Sequence, residues 1–100
     1  MATHGRAREL TISALSNRKP FSRPGFAMKG VEGASTSYGQ LPKEILAEYE
    51  VYAAANNIFY TVLSYKTPIA WVTWNEKVVI PDVKYSVTTT HHQSLCRAYL

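Results

Sequence analysis

The last 43 residues, Ile58–Leu100, constrain the fold most. Three runs rich in β-branched and aromatic residues, Ile58–Tyr65, Ile69–Trp74 and Lys77–Ile80, follow one another there. Such residues suit the pleated, half-buried surface of a strand. The connections are short: Lys66-Thr67-Pro68 makes the first turn and Asn75-Glu76 the second. Links of two or three residues join antiparallel neighbours, because a parallel pair needs a crossover of about a dozen residues or more. The segment therefore reads as an antiparallel meander. Pro81-Asp82 interrupts it, and Val83–Val87 is a short extended piece. Thr88, Thr89 or Thr90 then caps a terminal helix, with Thr90 and Gln93 at capping-box spacing.

Upstream, Leu41–Asn56 has the strongest helical pattern. Pro42 suits the start of a helix, where its missing N–H has no intrahelical partner to lose. Glu44 lies in the first turn, favourable against the helix dipole. Ile45, Leu46, Tyr49, Tyr52 and Ala53 form one apolar stripe. Asn56-Asn57 ends the helix, since Asn tolerates left-handed φ. Arg6–Ser16 reads as a shorter helix with Ala7, Leu10 and Ala14 on one face. Arg18–Gly25 holds two prolines and is a connector, Phe26–Val31 is a candidate edge strand, and Glu32–Gln40 is loop.

The fold class expected is α+β: a three-stranded antiparallel meander, extended to four or five strands by the edge pieces, with two to three short helices. One hundred residues make one domain. Residues 18–100 form its α+β body, and residues 1–17 are a helical or flexible basic segment.

Alternation along the strands places Ile58, Tyr60 and Val62 on one face and Phe59, Thr61, Leu63 and Tyr65 on the other. In the second strand Ile69 and Trp71 oppose Ala70, Val72 and Trp74. Both faces are thus apolar, whereas a sheet with one solvated face shows polar residues on it. Three short helices are expected to cover one face and not two. The surplus aromatic surface marks an interface. Phe59, Tyr65, Trp71 and Trp74 are the expected partner-binding residues, and a second copy or another protein the expected partner.

Charge suggests an alternative. Residues 1–30 carry six cations against Glu9 alone, while residues 31–100 carry five cations against six acids. Basic arms attract phosphate backbones. A nucleic-acid-binding module would use Arg6, Arg8, Arg18, Lys19 and Arg23.

Catalytic and metal chemistry find little to stand on. His92 and Cys96 lie four apart on one helical face, a spacing two metal ligands can have, yet a tetrahedral site needs two more. The chain has one cysteine. A Cys96 nucleophile would need His92 as base and a group such as Asp82 to orient it. The glycines have no phosphate-loop spacing. No catalytic residue, metal or cofactor is expected, and the protein reads as a non-enzyme. No run is long enough to cross a bilayer as a helix, and MATHGRAREL lacks an apolar leader. The expected setting is cytoplasmic, without a membrane partner.

The stretches Tyr60–Val72 (YTVLSYKTPIAWV) and Val78–Leu100 (VVIPDVKYSVTTTHHQSLCRAYL), with Arg18–Phe21 (RKPF) and Tyr38–Pro42 (YGQLP), resemble a family of small uncharacterised proteins of actinobacterial phages and mobile elements. The resemblance spans about Arg18 to Leu100 and implies no catalytic or binding positions. Where this chain has Asn75-Glu76, members of that family tend to have an Asp-Gly type of turn. The resemblance implies a phage accessory protein that binds a host or phage component in the host cytoplasm.

Overall fold

The computed structural model describes residues 3–23, 25 and 27–100, the first five of them as backbone alone. Among the described residues three helices, α1 (Thr3–Asn17), α2 (Lys43–Ala54) and α3 (Val87–Tyr99), accompany five strands. The strands are β1 (Phe21–Arg23), β2 (Met28–Glu32), β3 (Ile58–Ser64), β4 (Thr67–Thr73) and β5 (Val78–Val79). They form one antiparallel sheet in chain order, β1-β2-β3-β4-β5. The α+β meander is as expected, at the upper end of the strand count. β1 lies inside the segment read as a connector. Pro20 precedes it, which suits an edge strand whose outer N–H groups have no ladder partner. The Phe26 start expected for the second strand lies outside the described residues, as does Pro24.

The first turn of the meander is Tyr65-Lys66, with φ of 49° and 68°. Two consecutive positive-φ residues match the right-handed twist of the flanking strands. Pro68 consequently sits inside β4 instead of in the turn. The loop after β4 is wider than the Asn75-Glu76 turn expected, and Thr73 N–H donates to Lys77 O at 2.9 Å across it. The last helix begins earlier than the threonine run. Ser86 is its N-cap, and its Oγ accepts from Thr89 N–H at 3.1 Å. Ser86 wins because its extended backbone (φ −96°, ψ 170°) aims its hydroxyl at the third helical residue.

Two bulges reassign the faces. Ile58 pairs with Thr73 and Tyr60 with Val72, leaving Phe59 as an extra residue on β3. Val62 pairs with Ala70 and Leu63 with Pro68, leaving Ile69 extra on β4. An extra residue shifts the alternation beyond it. Ile58 therefore joins Trp71, not Tyr60, and Ile69 joins Ala70 and Val72.

Each face has its own core. On one, Tyr60, Val62, Ile69, Ala70 and Val72 pack with Met28 against Leu15 of α1 and Leu95 and Cys96 of α3. On the other, Ile58 and Trp71 pack against Tyr49 of α2, with Ile45, Tyr52 and Ala53 around them. The expectation that three helices cover one face only is corrected. Strands of two to seven residues present so little area that one helix screens much of a face. Thr11 and Leu15 are buried, so α1 packs against the body that begins at residue 18.

Candidate interaction surface

Trp71 and Trp74 have different fates. Trp71 is fully buried, with its ring 4.8 Å from that of Tyr49 at 70° and 6.5 Å from that of Tyr52. Trp71 therefore leaves the expected contact set, because α2 covers the face it points to. Trp74 follows the last residue of β4, where the chain turns away, and remains 62% exposed. Its ring packs at a tilt against Phe59, with a centroid distance of 4.8 Å and an interplanar angle of 59°. The bulge on β3 makes this contact possible by placing Phe59 beside the end of β4.

The aromatic pair has a charged border. Arg18, just past α1 at φ 54°, places Nη1 3.7 Å from Glu76 Oε1 and donates from Nη2 to Leu100 O at 3.1 Å. Arg18, Phe59, Thr73, Trp74 and Glu76 line a shallow depression of about 280 Å³. Arginine beside tryptophan is a composition enriched in the energetic centres of protein interfaces. Tyr65, the fourth expected contact, is exposed but lies at the opposite end of β3, six residues from Phe59. At strand rise that is about 20 Å. The structure thus brings together Phe59 and Trp74, and separates both from Tyr65.

The basic residues do not project as one free arm. Arg8 and Lys19 are exposed, Arg23 is half-buried, and Arg18 is engaged as described. Of Arg6 only the backbone is described.

A polar cluster links β3 to α3. Ser64 Oγ lies 2.7 Å from His92 Nδ1 and 2.9 Å from Thr89 Oγ1. A hydroxyl against an imidazole is the pairing a nucleophile and its base need. Here Ser64 is 1% and His92 0% exposed, and Thr89 also holds the hydroxyl. The cluster pairs the Ser64 and Thr89 hydroxyls with His92 Nδ1 and fixes α3 on the sheet. A cleft of about 540 Å³ opens above Ser64 and Thr89, walled by Tyr65, Tyr85, Lys84 and Gln40. Sequence reading missed Ser64; its signal was a small polar residue ending an apolar strand.

Burial pushes the Cys96 thiol up to about 12, so it is a neutral thiol at physiological pH. Asp82 faces Arg97, at 4.0 Å. Among the described residues no three His, Cys, Asp or Glu side chains come together to hold a metal. No helix among them is long and apolar enough to cross a membrane.

Fold and surface together define a small antiparallel sheet domain with helices on both faces and an exposed tryptophan, Trp74, resting on half-buried Phe59. The chain belongs to DUF8033, a family of unknown function, whose model matches residues 15–96. The match runs from the buried end of α1 to Cys96 and so takes in all five strands. No curated protein and no solved structure matches the chain.

Proposed function

We propose that this protein is a small non-enzymatic accessory protein that acts by binding another protein, with Trp74 and Phe59 as its anchor. The carrying observation is Trp74 itself. The molecule buries Trp71 completely yet leaves Trp74 mostly in water, tilted against Phe59 and bordered by Arg18 and Glu76. A ring held in place by a neighbour loses little entropy on binding, which favours its use as an anchor. The resemblance to actinobacterial phage proteins supports a host or phage protein as the target, and the host cytoplasm as the place of encounter.

The test is affinity capture from host lysate with wild-type protein and Trp74→Ala in parallel. A protein retained by the wild type and lost with Trp74→Ala is the expected result. Truncating such an anchor costs about 2 kcal/mol, roughly thirtyfold in Kd, measurable by calorimetry once the target is purified. A wild type that retains nothing, or retention indifferent to Trp74, would overturn the proposal.

The alternative, a nucleic-acid-binding module, rests on the charge excess of residues 1–30 and on exposed Arg8 and Lys19. Its mark is affinity that falls steeply with salt. Absence of a mobility shift at about 50 mM salt removes it.

A further inference from the structure

The face that α2 covers is only partly closed. α2 packs over Ile58, Trp71 and Val79, which leaves β2 and the far half of β3 to the loop of residues 33–40. Beside that loop runs a groove of about 480 Å³. Its floor is apolar, with Ala27, Val31 and Leu63, and Ser35 to Ser37 form its wall. Lys29, cross-strand from Leu63, and Lys66, in the β3–β4 turn, stand at its border. Both lysines are exposed, and neither has an acidic partner among the described residues.

The solvent side of α2 has the complementary character. Glu44, Glu48 and Val51 are exposed and fall at i, i+4 and i+7, one stripe of the helix. Val51 is 69% exposed, an apolar residue on the face opposite buried Tyr49. Glu44 and Glu48 have no cationic partner among the described residues. The helix therefore carries an apolar knob flanked by unpaired acids, and the groove an apolar floor flanked by unpaired bases.

We infer that this face is a self-association surface, in which α2 of each copy docks over the Lys29–Lys66 groove of the other. Groove and helix share one face of one sheet. A two-fold axis between them brings both helices onto both grooves at once, which is the self-complementary arrangement of an isologous dimer. Val51 of one copy meets Val31 and Leu63 of its partner, while Glu44 and Glu48 meet Lys29 and Lys66. The Phe59–Trp74 pair takes no part in it.

Sedimentation velocity of the full chain tests the inference, with charge-reversal pairs in which folding is checked by circular dichroism. Wild type is expected to dimerise and to dissociate as salt rises. K29E/K66E and E44K/E48K should each raise the dimer Kd at least tenfold. An equimolar mixture of the two variants should restore the dimer, because both contacts then join opposite charges again. Trp74→Ala should leave the dimer intact. A wild type monomeric at every concentration, a dimer indifferent to both variants, failure of the mixture to restore it, or loss of the dimer in Trp74→Ala would overturn the inference.

Discussion

Replacing Tyr49 with Phe tests how α2 and the loop before it are fastened to the sheet. Tyr49 is fully buried, and its hydroxyl sits in a directed chain of hydrogen bonds. Ser35 N–H donates to Tyr49 Oη at 2.7 Å, and Thr61 Oγ1 donates to Gly33 O at 2.9 Å. The proton of Thr61 is thus committed, so at their 2.9 Å contact Tyr49 donates to Thr61 Oγ1. Phe keeps the ring packed on Trp71 and removes two of the three bonds. At about 1 kcal/mol net for each, the loss is about 2 kcal/mol. In a domain of this size that lowers Tm by roughly 8–16 °C. Differential scanning calorimetry reads the shift. Thr61→Val should couple to Tyr49→Phe in a double-mutant cycle by at least about 0.5 kcal/mol. A Tm change below about 2 °C, or additivity of the two variants, would refute the argument that this chain of bonds holds the loop.

Three further outcomes are expected. Trp71→Ala should cost about 3–5 kcal/mol in urea unfolding, and Trp74→Ala less than about 1 kcal/mol, because one ring fills a core and the other lies in water; the reverse ranking would contradict the assignment of faces. Gly39→Ala should destabilise by about 2 kcal/mol or more in the same assay, since Gly39 has φ +51° and an added Cβ would strike the Thr67 side chain and come within 2.7 Å of Thr67 Cα. The Cys96 thiol should resist a disulfide reagent at neutral pH until urea unfolds the chain. Its folded value of about 12 lies above the ordinary 9.0, so the unfolded chain releases the proton first; the thiol's stabilising contribution is whole below pH 9 and falls away as pH rises toward 12. Stability that stays level from pH 9 to 11 would contradict the enclosure of Cys96.

Much of this architecture was legible in the chain. The meander followed from β-branched and aromatic runs joined by short links, and α2 from a stripe at helical spacing. Sequence reading places Trp74 and Phe59 in one expected contact set, although no pattern indicates that they touch. Their meeting depends on the bulge at Phe59, which belongs to neither strand's alternation but to their register. The same is true of Ile58, shifted to the other face by the extra residue Phe59, and of Ile69, itself the extra residue on β4. Ser86 was passed over as a cap because three threonines stood nearby, and only the backbone angles decide which hydroxyl reaches an N–H. The Ser64–His92 contact joins residues 28 apart in sequence, a separation at which no local spacing speaks.

Local chemistry thus determined most elements of this protein: which of the longer runs extend and which coil. Periodicities of 2 and 3.6 are properties of a short segment and are written in it. Tertiary structure decided which aromatic ring is enclosed and which meets the solvent, where a helix leaves a groove open, and which charges stay unpaired. Those outcomes depend on the register between strands and on where a helix lands, and each is settled by packing among residues far apart in the chain.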